Sequence, residues 1–180
     1  SREFAHTRRK NLLLRDLDEL VNQQLSKMLF ANPRRIDYYD RYQEIIDAYN
    51  AEQNRATIEK TFMDLMELAS SLDTEQQRYV REGFSSDEEL SVYDLLFSEN
   101  LTKQEIETIK KVSVDLLTKI KQQIAKLDHW TDKQETKAIV DNLIRNTLWQ
   151  ELPNSYDVSD IQTYQKKIYE YVYMRYPEVA

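Results

Sequence analysis

The 180-residue chain has no cysteine, one glycine, three prolines and two histidines. Without cysteine there is no disulfide, no thiolate metal site and no cysteine nucleophile, which suits a reducing compartment. A single glycine, Gly83, is too few for the turns and bulges of a sheet-rich fold, and it excludes glycine-rich phosphate loops and dinucleotide fingerprints. No apolar run approaches the roughly 18 residues that cross a bilayer, and no signal-peptide pattern opens the chain. A net charge of −7 and a pI near 5.0 argue against a dedicated nucleic-acid binder. The expectation is a soluble, cytoplasmic, helical domain that binds no cofactor of its own. Its first residue is Ser1, and a helical pattern begins close to it, as in a piece excised from a longer chain.

What is present is apolar residues at a period near 3.6, the signature of helix. From Arg8 to Phe30 the spacing predicts a long helix with Leu13, Leu17, Leu20, Val21, Leu25, Met28 and Leu29 on one face. Asn32-Pro33 interrupts it, because proline disfavours helix in the residue before it. A second helix is expected over Arg35 to Asn50, burying Ile36, Tyr39, Tyr42, Ile46 and Tyr49. A third is expected over Arg55 to Leu72, burying Ile58, Phe62, Leu65, Met66, Ala69 and Leu72. Thr74 to Glu82 reads as a short polar helix that ends at Gly83 in the C′ position.

Capping patterns place the remaining starts. Ser86 with Glu89 opens a helix carrying Leu90, Tyr93, Leu96 and Phe97. Thr102 with Glu105 opens one carrying Ile106, Ile109, Val112, Leu116, Leu117, Ile120 and Ile124. Thr131 with Gln134 is read as the start of a helix with Ala138, Val140, Leu143, Ile144, Thr147 and Leu148. Ser159 with Gln162 is read as the start of the last helix, which ends at Tyr176 before Pro177. The fold class is all-α, a single irregular bundle of about seven to eight helices with a long first helix. Its length is that of one domain spanning residues 1–180.

Residues able to carry chemistry are sparse. His6 and His129 lack a second ligand at the i, i+4 spacing of a zinc-binding helix, and His129 is expected to pair with a carboxylate or cap a helix. Asp87-Glu88-Glu89 falls in a first helical turn, where negative charge complements the dipole. The basic run Arg8-Arg9-Lys10, with Arg2 and Arg15, can face phosphates; it equally suits a solvated helix flank or a domain junction. Of the 12 tyrosines, five lie in the last helix. Tyr164, Ile168, Tyr171 and Val172 make one face, while Tyr169, Tyr173 and Tyr176 make another. Aromatics on two faces mean burial on both sides or a second surface kept for a partner. No nucleophile–base pair, phosphate cradle or metal set assembles from these residues, so no catalytic residue is assigned.

Asn32-Pro33-Arg34-Arg35-Ile36-Asp37-Tyr38-Tyr39, followed by Arg41-Tyr42-Gln43-Glu44-Ile45-Ile46 and Tyr49-Asn50, resembles a stretch near the C-terminus of type I restriction enzyme R subunits. The segment from Glu82-Gly83-Phe84 through Val92-Tyr93-Asp94-Leu95-Leu96, the Trp130 segment, Leu152-Pro153 and the tyrosine-rich last helix resemble the same region. The likeness runs from roughly Arg9 to Tyr176. It implies a parent chain with a nuclease domain and two helicase-type motor domains that translocates DNA with ATP and Mg²⁺. The helical domain is implied to help dock that motor onto the methyltransferase (M) and specificity (S) subunits, with DNA reached through the whole complex. The family's nuclease and ATP-binding motifs have no counterpart here.

Overall fold

The computed structural model describes residues 2–178, without the side chains of residues 3–7; His6 falls outside the described residues. Among the described residues there are eight α-helices and no strand, an all-α bundle architecture with a long first helix, as expected. They group into two compact units, residues 1–81 and 82–180.

The first unit consists of α1 (Arg2–Ala31), a 3₁₀ turn (Pro33–Arg35), α2 (Ile36–Ala51), α3 (Arg55–Gln76) and the short α4 (Arg78–Arg81). Asn32 ends α1 in extended geometry, and its side chain accepts from the Arg34 amide. Pro33 follows where a missing N–H costs nothing. Helix α3 packs on both α1 and α2. Lys10 reaches Glu59 and Gln24 reaches Asp73 at the same sequence offset, so α1 and α3 run parallel. The core joins Leu14, Val21, Leu25 and Met28 of α1 to Tyr42 of α2 and to Ile58, Leu65, Leu68 and Leu72 of α3.

Several face assignments differ from the sequence reading. Leu14 is buried, whereas Leu13 and Leu20 are exposed. A 3.6-residue period through Val21, Leu25 and Met28 passes through Leu14 and leaves its neighbour Leu13 about 100° away. In α2, Ile36 and Tyr39 point outward while Tyr38, Tyr42, Ile45, Ile46 and Tyr49 face the core. In α3, Phe62 and Met66 are exposed and Leu68 is buried. The polar segment after Leu72 continues α3 to Gln76 before α4 begins. Gly83 follows with φ +86°, the left-handed conformation its position was expected to need.

The second unit contains α5 (Asp87–Leu96), α6 (Lys103–Ala125), α7 (Gln134–Glu151) and α8 (Val158–Arg175). Contacts run α5–α6, α6–α7, α7–α8 and back from α8 to α5, which closes a four-helix ring. Its neighbours are antiparallel: Tyr176 reaches Glu88 at one end of α5 and Tyr156 reaches the Leu96 carbonyl at the other. Short loops favour this up–down arrangement. Leu90, Leu96, Ile109, Leu116, Ile120, Ile124, Val140, Ile144, Leu148 and Ile168 are fully buried or nearly so.

Two of the expected caps hold. Ser86 accepts from the Glu89 amide, and Thr102 with Glu105 forms a reciprocal capping box. Two do not. Helix α7 starts from Lys133 with no side-chain cap, and the hydroxyl of Thr136 donates instead to the Trp130 and Lys133 carbonyls. Helix α8 is capped by Asp157 with Asp160 rather than Ser159 with Gln162. An aspartate two residues earlier offers the same geometry with a negative charge at the helix N-terminus.

Candidate functional site

The motif Asn32-Pro33-Arg34-Arg35 builds a buried ionic cluster. Arg35 is almost fully buried where the chain turns from α1 into α2. Its guanidinium donates to the Met28 carbonyl at 3.2 Å and to Glu75 near the end of α3 at 3.2 Å. Arg78 donates to both Glu75 oxygens at 3.0 Å, and the Tyr38 hydroxyl donates at 3.5 Å. Burial alone would raise the Glu75 carboxyl, but the hydrogen bonds and charges of Arg78 and Arg35 together hold it below the usual carboxylate range. A carboxylate kept ionised between two guanidiniums is a brace, unsuited to proton transfer near neutral pH. Sequence reasoning missed it. Its one visible signal is Glu75 prolonging the buried stripe of Leu65, Leu68 and Leu72.

The basic run of α1 splits. Lys10 is paired with Glu59 at 2.8 Å. The side chains of Arg8 and Arg9 are exposed and make no ion pair or hydrogen bond with the described residues. Arg8 and Arg15 stand over a groove of about 550 Å³ with Leu14, Ile46, Tyr49 and Leu65 among its walls. The structure therefore leaves Arg8 and Arg9 among the open cations at this end of α1.

The tyrosines of α8 converge on Trp130. That indole is fully buried, and its N–H donates to the Tyr176 carbonyl at 2.7 Å. Tyr169 and Tyr173 meet it edge-on at 6.0 and 5.8 Å and lie 6.1 Å from each other. Tyr176 turns away: its hydroxyl donates to Glu88 at 2.8 Å and its ring lies under the Lys121 ammonium at 5.5 Å. Burial, then the neighbouring Tyr171 and Glu88, raise the Tyr176 phenol strongly. Burial also raises Tyr169, which is half-buried. Of the three, Tyr173 is the exposed one.

His129 adopts φ +46° in the turn after α6, and its ring nitrogens lie 3.4 Å from Asp128 and from Glu178. Another cluster that the sequence did not reveal lies between α6 and α7, where Lys119 reaches Asp115 at 2.9 Å and Glu151 at 3.4 Å. Burial and the adjacent Asp115 raise the Glu151 carboxyl. The Asp115–Lys119 spacing is legible as an i, i+4 pair; the approach of Glu151 needs the fold. Among the described residues no three His, Asp or Glu side chains form a group able to hold a metal. With its one glycine in the turn after α4, the chain also offers no glycine-rich loop for ATP phosphates.

In class this is an all-helical domain whose polar clusters tie helices together. Residues 1–176 match the family model described as type I restriction enzyme HindI endonuclease subunit-like, C-terminal, and the chain belongs to that family. It is thus a C-terminal domain of a type I restriction endonuclease subunit, as the resemblance implied. Comparisons with curated proteins and with solved structures give no significant match. Among the described residues no helix is long and apolar enough to cross a membrane.

Proposed function

We propose that this domain is an assembly module that docks the restriction subunit onto the methyltransferase core, the M and S subunits of the complex. On this reading the ATP and Mg²⁺ chemistry belongs to motor domains elsewhere in the parent subunit, and this domain performs no catalysis. The observation that carries the proposal is Tyr173, an exposed aromatic packed against Trp130 and Tyr169. Aromatics with little rotamer freedom to lose are favoured anchors of protein interfaces. In residues 82–180 acidic side chains outnumber basic ones, which also suits a protein partner better than DNA.

The test is size-exclusion chromatography with light scattering on a mixture with the cognate methyltransferase core, at physiological and high salt. The proposal expects co-elution that survives high salt and a dissociation constant weakened about tenfold or more by Tyr173→Ala, within the range for interface aromatics. A folded domain that fails to co-elute would overturn it. A second reading rests on Arg8 and Arg9, open cations on α1 able to guide duplex leaving the motor. It expects duplex binding that falls steeply with salt, because phosphate contacts release counterions.

A further inference from the structure

The outer face of the parallel pair α1 and α3 is apolar. Leu13 and Leu20 of α1 are 52% and 65% exposed, and Phe62, Met63 and Met66 of α3 are 37%, 71% and 51% exposed. Helical register puts Leu13 and Leu20 on one edge of α1, since they lie seven residues apart. Phe62, Met63 and Met66 form the matching edge of α3, and Leu13, Phe62 and Met63 help line a shallow hollow of about 380 Å³. The Lys10–Glu59 pair closes one end of the seam and the Gln24–Asp73 hydrogen bond closes the other. The seam between them is about 20 Å long at 1.5 Å per residue.

We propose that this face is the interface with a second copy of the chain, packed antiparallel across the α1–α3 seam as a four-helix layer pair. Three observations select that occupant. The five side chains leave about 500 Å² of apolar surface in water, at the top of what ordinary monomers expose. With the polar rim this approaches the roughly 800 Å² per partner of a standard interface.

Its charge is polarised. Arg9 stands on the Leu13 edge at one end, and Asp73 stands on α3 at the other. The helices α1 and α3 also run parallel, so their dipoles place like ends together, and an antiparallel pair opposes them. A two-fold axis at the level of Leu17 and Met66 brings Leu20 of one copy to the hollow beside Leu13 of the other. It brings Arg9 to the level of Asp73 by the same operation. A surface complementary to itself under two-fold rotation is what an isologous dimer needs.

Sedimentation equilibrium over micromolar to submillimolar concentration tests this on the chain itself, with an expected mass twice 21.6 kDa. Leu20→Glu and Met63→Glu are surface changes and should weaken the dimer at least tenfold, with helicity by circular dichroism unchanged. Ile139→Glu, an exposed residue of α7, should leave it intact. Arg9→Glu and Asp73→Arg should each weaken self-association when alone and restore it when the two proteins are mixed. A monomer throughout the range, or a dimer indifferent to both glutamate substitutions, overturns the proposal. So does a monomer whose seam is shielded from hydrogen exchange only after the methyltransferase core is added, since that result gives the face to the core.

Discussion

Glu75 shows how much one side chain can carry. It lies buried between Arg35 and Arg78, so removing Glu75 leaves the nearly fully buried Arg35 without its carboxylate, whereas removing one arginine leaves Glu75 held by the other. Breaking such a pair costs about 3–5 kcal/mol. Glu75→Ala should lose that much in urea unfolding, whereas Lys60→Ala, which breaks an exposed pair with Asp64, should lose less than about 1 kcal/mol. The pH dependence has a definite sign. The folded-state pKa of Glu75 is depressed, so its contribution is complete above the unfolded-state value and is lost as pH falls through the folded value. Stability of the wild type should therefore fall on acidification below about pH 4.3, the ordinary glutamate value. Glu75→Gln should be less stable at pH 7 and show a shallower acid slope in the same melts. Beyond Glu75 prolonging the buried stripe of α3, nothing at the residue level advertised this pair, because its partners are separated by 40 positions.

At the scale of the element, α8 separates two possible helix starts. Ser159 with Gln162 and Asp157 with Asp160 both satisfy the spacing of a capping box. The structure uses the aspartates, whose side chain and backbone bond reciprocally at 2.8 and 3.0 Å. Asp157→Ala should cost about 1 kcal/mol in thermal or urea unfolding, the usual value of an N-cap. Ser159→Ala should stay within about 0.5 kcal/mol, the range of an ordinary surface change. Equal losses would return the cap to Ser159. The same ambiguity of one or two residues explains α1, where runs such as Leu12-Leu13-Leu14 offer three possible apolar faces. Only packing against α3 selects Leu14.

For the whole molecule, the decisive fact is that residues 1–81 and 82–180 each enclose a core. Leu65 is fully buried in the first and Leu116 in the second. Truncating a leucine in such a place costs about 2–5 kcal/mol. Leu65→Ala should lower hydrogen-exchange protection by that amount in α1–α3 while α5–α8 keep wild-type protection, and Leu116→Ala should do the reverse. A loss shared equally by both sets of helices would mean that the two units unfold as one. The family assignment spans both units.

Composition and apolar period by themselves determined that the chain is helical and where most helices lie, while the family resemblance rested on particular residue runs such as Asn32 to Tyr39. Backbone hydrogen bonding, capping and proline act over a few residues, so those features can be read locally. The candidate site was legible in part: Arg8, Arg9 and the tyrosine face of α8 were visible as residue types. What each was free to do was decided by tertiary structure. Lys10 is bound by Glu59, Tyr176 is turned onto Glu88, Tyr169 is half-buried, and Tyr173 remains outside. The Arg35–Glu75 brace and the apolar outer face of α1 and α3 likewise required the fold. Burial and ion pairing depend on which distant helix arrives against a given face, and no local pattern encodes that meeting.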